Sequence, residues 1–238
     1  LGCGADFSTA ARRLEARDVL LGDLAARGGN HNVGLMGCTQ LLPTLTCVGE
    51  ARAAQRLASS TDFPSIGYML GHAGAGTTVW ERWRPLDTSL PPSTYNNTSQ
   101  DHPMFGSIGA WLLQHLAGLE ASDIGGAARL RVRPGTAAAG NLLSGASSEQ
   151  LTARGRAAVA WEVRAAGELR LNVTVPPGCV GEVDVPGNAS ELVVSESGVV
   201  LWRRGAAAGT AEGVTAVAAL ADGVRLSTVS GSYVVVAE

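Results

Sequence analysis

Leu169-Arg170-Leu171-Asn172-Val173-Thr174-Val175 alternates an aliphatic side chain with a polar one along its whole length. Successive side chains of an extended chain leave on opposite faces. The pattern therefore predicts a strand with Leu169, Leu171, Val173 and Val175 buried and Arg170, Asn172 and Thr174 facing water. The same period spreads outward in both directions. Upstream, Val159-Trp161-Val163 alternates again beyond a small-residue stretch from Gly135 to Ser148, and Leu130 and Val132 alternate with Arg129, Arg131 and Arg133. Downstream, strands are predicted at 180–185, 191–195, 199–203, 214–219, 224–229 and 232–236, with turns at Pro186-Gly187, Gly198, Gly205 and Asp222-Gly223. Many short strands with regular turns make a β-sandwich.

Before Leu130 the period is helical. Ser8 is placed to cap a helix with Leu14, Leu20, Leu21 and Leu24 on its apolar side and Gly28-Gly29 as its stop. After the loop Asn30-His31-Asn32-Val33-Gly34, residues Leu35 to Thr46 read as a helix interrupted or ended near Pro43. Glu50 to Ser59 is a short Ala-rich helix with Ala54, Leu57 and Ala58 inward. Residues 61–105 hold little periodic structure, and a loop of that length in a compact domain is usually functional. Helical spacing returns from Gly106 to Leu119, with Ile108, Trp111, Leu112, His115 and Leu119 as the stripe. Helices followed by strands give an α+β chain of two domains, 1–127 and 128–238, with the boundary at Gly125-Gly126.

The chain of 238 residues is long enough to bury a sizeable core. With 16% charged residues and a net charge of -3 it lacks the basic footprint of a nucleic-acid binder. No apolar run is long enough to span a bilayer. The chain starts at Leu1 without a basic-then-apolar leader, which reads as a processed product or a piece of something longer. Sequons at Asn96, Asn97, Asn172 and Asn188 point to an extracellular or cell-wall location, with Asn172 or the Asn96/Asn97 pair the preferred glycan sites. The four cysteines (Cys3, Cys38, Cys47 and Cys179) show no zinc-type or Cys-x-x-Cys spacing, and are compatible with one or two disulfides or with buried thiols. Neither a metal nor a cofactor is expected.

The chemistry concentrates in Gly76-Thr77-Thr78-Val79-Trp80-Glu81-Arg82-Trp83, where a carboxylate sits between two indoles after the Gly-rich turn from Gly71. An indole packs on the C–H face of a pyranose, and a carboxylate between such walls is partly desolvated and suited to acid–base work. The bland alternative is a Trp-rich core corner with Glu81 paired to Arg82 or Arg84.

Flanking blocks extend the pattern. Upstream is Asp62-Phe63-Pro64-Ser65-Ile66-Gly67-Tyr68-Met69; downstream are Asp101-His102-Pro103 and Trp111-Leu112-Leu113-Gln114-His115-Leu116-Ala117-Gly118. Further on come Arg131-Val132-Arg133-Pro134, Val175-Pro176-Pro177 and Gly231-Ser232-Tyr233. Their order resembles the C-terminal part of bacterial-type inverting α-L-rhamnosidases. The resemblance implies the end of an (α/α)6 barrel followed by an antiparallel β-sandwich, acting on a rhamnose-containing glycoside or polysaccharide. It makes Glu81 the general base, Trp80 and Trp83 walls of the sugar site, and His102 a contact to sugar hydroxyls. Ile66 replaces a family aromatic, Val33-Gly34 a Thr-Gly, Gly37-Cys38 a Gly-Thr, and Asp101 an Asn.

Inverting hydrolysis needs two carboxyl groups roughly 6.5–9.5 Å apart, one acid and one base. The family's acid lies upstream of the segment matched here, and Asp62, Asp87 and Asp101 do not correspond to it. With about four helices where such a barrel needs twelve, the chain is expected to pack against the missing upstream part or another protein chain, and not to hydrolyse a glycoside alone. The competing expectation is a non-catalytic extracellular or cell-wall glycoprotein that keeps a hydrolase-like remnant as a structural or sugar-binding module. A sugar-binding role for the sandwich itself is weaker, because Trp161, Trp202 and Tyr233 occupy strand positions that build core.

Overall fold

The computed structural model describes residues 9–30, 33–71, 78–83, 99–122, 129–135 and 142–238, with only the backbone of Ala121 and Ser122. The chain forms two compact units, Leu1–Trp111 and Leu112–Glu238.

The first unit is helical. Helix α1 (Ala10–Ala26) is capped by Thr9 rather than Ser8; the Thr9 hydroxyl accepts the Arg12 N–H at 3.2 Å. It stops at Gly28-Gly29 as expected, where the Gly29 N–H reaches back to the Leu24 carbonyl at 2.8 Å. Helix α2 (Leu35–Cys47) runs through Pro43 without ending there. Proline removes one hydrogen bond and crowds the preceding turn. Against that stand Leu41, Leu42 and Leu45, all buried from the same helix. Helix α3 (Ala51–Ser59) buries Ala54 and Leu57, and α2 packs against it. Within the stretch read as a loop, α4 (Ile66–Gly71) forms a short helix and α5 (Pro103–Gly106) another at its end, while α6 (Ile108–Trp111) lies where helical spacing was read. Ile66, Met69, Trp80 and Phe105 form a core cluster, with Trp83 and Ile108 packed against it. The Trp111 indole N–H donates to the Thr46 hydroxyl at 2.9 Å, tying α6 to α2.

The second unit opens with a π-helical turn, Leu112–Ala117, where continuous α-helix was expected. Its wider turn breaks the 3.6-residue stripe: Leu112 is 43% exposed, and Leu119 lies on a strand. Gly118, at φ +81°, ends the turn pressed against the Arg133 carbonyl, where a Cβ has no room. The strands are β1 (Leu119–Ser122), β2 (Arg129–Val132), β3 (Gly145–Thr152), β4 (Gly155–Val163), β5 (Leu169–Val175) and β6 (Val180–Pro186). They continue as β7 (Val193–Glu196), β8 (Val199–Arg203), β9 (Ala206–Ala207), β10 (Val214–Leu220), β11 (Gly223–Thr228) and β12 (Gly231–Ala237). The division at Trp111/Leu112 lies upstream of the Gly125-Gly126 boundary read from composition, two residues that fall outside those described. It lies there because β1 pairs with β2 and so belongs with the strands.

Two sheets face one another across one core: a five-stranded sheet ordered β1-β2-β6-β11-β10 and a seven-stranded sheet ordered β3-β4-β5-β12-β7-β8-β9. Among the described strands all pairings are antiparallel except β2 with β6. Alternation does what the sequence predicts: Leu169, Leu171, Val173 and Val175 meet Leu130, Val132, Val183, Val185, Val224 and Leu226 in the core. Trp161, Trp202 and Tyr233 are buried there too. On the outer face of the smaller sheet, Asp184 accepts from Arg225 at 2.6 and 2.9 Å and from Arg131 at 3.2 Å, while Glu182 pairs with Arg129 and Arg225. Among the described residues no helix is long and apolar enough to cross a membrane.

Candidate active-site strip of the helical unit

Two irregular segments, Thr78–Trp83 and Ser99–His102, run antiparallel in the first unit. The Glu81 N–H donates to the Ser99 carbonyl and the His102 N–H to the Val79 carbonyl, each at 2.9 Å. The Thr78 hydroxyl donates to the Gln100 carbonyl. This ladder gives a segment without regular structure a defined backbone, as buried peptide groups require.

Glu81 is half-buried, and its Oε2 accepts the Ser99 N–H at 2.7 Å. Ser99 is held in turn: its hydroxyl donates to the Asp101 carbonyl at 2.7 Å and accepts the Asp101 N–H at 3.1 Å. A carboxylate with one oxygen held by a short backbone bond has a set orientation. Among the described residues nothing bonds the other oxygen or forms a salt bridge with Glu81. Arg82 is exposed, and Arg84 lies outside the described residues. An oriented, partly desolvated carboxylate with a free oxygen is the form in which a general base holds a water.

The aromatic side chains divide. Trp80 is 1% exposed inside the core cluster, so its indole anchors the strip rather than presenting a face. Trp83 is half-buried; its N–H donates to the Val33 carbonyl at 2.9 Å, and its ring meets Phe105 edge-on with centroids 4.4 Å apart. Val33, where the family carries Thr, thus serves through its backbone. Ile66, where the family carries an aromatic, is buried beside Met69. His102 caps α5, its Nδ1 accepting the Met104 N–H at 3.3 Å. A neutral imidazole accepting at Nδ1 carries its proton on Nε2, which can donate to a ligand. Asp62 and Asp101 are exposed, while Gly76, Thr77, Asp87, Asn96 and Asn97 lie outside the described residues.

A small apolar cavity of about 20 Å³ lies among Cys38, Leu41, Leu57, Ile66, Trp83 and Phe105; Glu81 does not line it. Room for about one water cannot hold a sugar. Burial pushes the Cys38 thiol up to about 12, which leaves no thiolate for chemistry. Cys38 and Cys179 are free thiols and Cys47 is disulfide-bonded. Among the described residues no three His, Cys, Asp or Glu side chains gather to hold a metal. Sequence reasoning missed Ser99 and the Val33 carbonyl, since both act through the backbone and residue type carries no trace of that.

Residues 6–116 match the family model of the bacterial α-L-rhamnosidase six-hairpin glycosidase domain, and residues 122–200 that of the bacterial α-L-rhamnosidase C-terminal domain. An α-L-rhamnosidase of Streptomyces avermitilis is 30% identical over 183 residues, 77% of this chain and 17% of that protein. One from Formosa agariphila is 26% identical over 186 residues, 78% of this chain and 19% of its own length. Among solved structures, the α-L-rhamnosidase from Dictyoglumus thermophilum superposes with a TM-score of 0.73 at 26% identity, over 93% of this chain and 23% of that one. The Streptomyces avermitilis enzyme complexed with L-rhamnose gives 0.71 at 26% identity, over 97% and 20%. The chain spans about a fifth of the length of these relatives.

Proposed function

Both units of the chain belong to the bacterial α-L-rhamnosidase family, and from that premise we propose that it forms the C-terminal segment of a secreted glycoside hydrolase, with Glu81 as the general base. In this reading Glu81 takes a proton from a water that attacks the anomeric carbon of a terminal α-L-rhamnoside, with inversion. His102 Nε2 donates to a sugar hydroxyl, and the exposed part of Trp83 lines the sugar's C–H face. Trp80 holds the strip from below without touching substrate. The general acid comes from upstream of the matched segment, so the chain alone does not turn over. The observation that carries this reading is the Glu81 carboxylate, half-buried and held at one oxygen by Ser99.

The rest of the barrel covers apolar surface left on the helical unit, where Leu14 is 49%, Val19 67% and Met36 73% exposed. The disulfide at Cys47 and the sequons at the exposed Asn172 and Asn188 support an extracellular or cell-wall location. A second reading, a non-catalytic glycoprotein with a hydrolase-like remnant, draws on the burial of Trp80 and the engagement of Trp83 by Val33.

The test is Glu81→Gln in the full-length protein. It keeps the shape and the Ser99 bond but removes the base. Turnover of an aryl α-L-rhamnoside should fall by roughly 10²–10⁴-fold with rhamnose binding retained. Unchanged turnover would remove Glu81 from the mechanism. A full-length wild-type protein that binds but never hydrolyses would favour the remnant.

A further inference from the structure

Two described sequons lie on the sandwich unit, and the fold treats them differently. Asn172 is exposed at the middle of β5, opposite Ala160 of β4 and Val234 of β12. Paired on both sides, the backbone there stays extended. Thr174 lies two residues along the same face, and two strand residues rise by about 6.6 Å. Among the described residues no hydrogen bond joins the Thr174 hydroxyl to the Asn172 amide, and the strand pairing on both sides keeps the motif from folding back.

Asn188 sits after β6 in an exposed turn that folds the motif back on itself. Its Oδ1 accepts the Ser190 hydroxyl at 2.8 Å and the Ser190 N–H at 3.1 Å. The turn is pinned from beneath: the Trp202 indole N–H donates to the Ala189 carbonyl at 2.8 Å, and the Glu191 and Leu192 N–H groups donate to the Asn188 carbonyl. A hydroxyl donating to the amide oxygen draws charge from the carbonyl and makes the amide nitrogen's protons easier to lose. Among the described residues nothing bonds Asn188 Nδ2.

We propose that Asn188 is an N-glycan acceptor which the folded sandwich presents ready for transfer, while Asn172 is withheld by its strand. The donor is a lipid-pyrophosphate-linked oligosaccharide. A bond forms between Asn188 Nδ2 and the sugar C1, the C1–O bond to the pyrophosphate breaks, and one amide proton leaves as the lipid pyrophosphate departs. The modification in the living cell rests on the extracellular reading above, but not on the hydrolase reading.

The experiment uses full-length protein made in cells without N-glycosylation, folded, and incubated with an oligosaccharyltransferase and its lipid-linked donor. Peptide mapping by mass spectrometry then reads each site. The expected result is a glycan at Asn188 and none at Asn172, lost in both Asn188→Gln and Ser190→Ala and kept in Ser190→Thr. An unmodified Asn188 in the folded protein, or modification that survives Ser190→Ala, would overturn the proposal. Mapping the protein from its own source separates the two ideas. A secreted protein with Asn188 bare sinks the acceptor site and leaves secretion standing. A glycan-free protein retained in the cell that is modified at Asn188 in vitro sinks secretion and leaves the presented acceptor standing.

Discussion

Removing either partner of the Asp184–Arg225 pair should destabilise the sandwich by different amounts, and removing both should nearly restore it. The Asp184 side chain is 3% exposed and the Arg225 side chain 26%. Arg225→Met strips two of the three donated hydrogen bonds from a buried carboxylate, leaving Arg131 at 3.2 Å. A stranded buried charge costs about 3–5 kcal/mol, and the remaining Arg131 contact places this one near 3. Asp184→Leu strands a guanidinium that is wetter and still has Glu182 at 3.2 Å, so roughly 1–2 kcal/mol is expected. In the double variant two apolar side chains replace the pair, and stability should lie within about 1 kcal/mol of the parent. The coupling is then roughly 3–5 kcal/mol, at or beyond the upper end for contacting residues. Urea unfolding followed by tryptophan emission, with Trp161 and Trp202 reporting from the core, measures all four species. Single variants of equal cost whose effects simply add would refute the reasoning, since burial of Asp184 would then not govern the pair.

Two further outcomes are expected. Burial lowers the His115 pKa below its ordinary 6.5, with Glu120 opposing, and the ring's Nε2 is buried without a partner. Below pH 6.5 the unfolded chain takes up a proton that the folded ring resists, so stability falls on acidification. His115→Gln should flatten the change in urea midpoint between neutral and mildly acidic pH, and an unaltered slope would contradict this. Cys38, pushed up to about 12 by burial, should resist a thiol reagent at pH 8 in a Cys179→Ala background until urea is added; rapid labelling of the folded protein would show the site is open.

Much of the sandwich was legible because its strands are half-buried. Period two, written in Leu169 to Val175, reports directly on which face meets the core. Strand β3 escaped because Ser148 alone among its residues is buried, so burial imposes no alternation on them. Strand β1 escaped because Leu119 also fits a helical stripe, and only the π-helical turn and Gly118 redirect it. In the helical unit, Pro43 read as a break because the penalty of a proline is local, while the burial that outweighs it comes from residues distant in sequence. The candidate site was legible as residue types, Glu81 with Trp83 and His102, but not as geometry. Which backbone group holds Glu81 follows from a ladder between segments about twenty residues apart, and Trp83 is held by the Val33 carbonyl still farther along the chain.

The position of β12 bears on how the sandwich is made. It comes last in sequence among the twelve described strands, yet it lies between β5 and β7 in the seven-stranded sheet. Until residues 231–237 are available, that sheet exists as two separate ribbons, β3-β4-β5 and β7-β8-β9, each with an open hydrogen-bonding edge facing the gap. Open edges invite pairing with other chains. A chain still emerging from the ribosome would therefore hold both ribbons unjoined until β12 is free. A stop codon shortly before Gly231 would not trim the domain but divide it, leaving two sticky half-sheets where one closed sandwich should be.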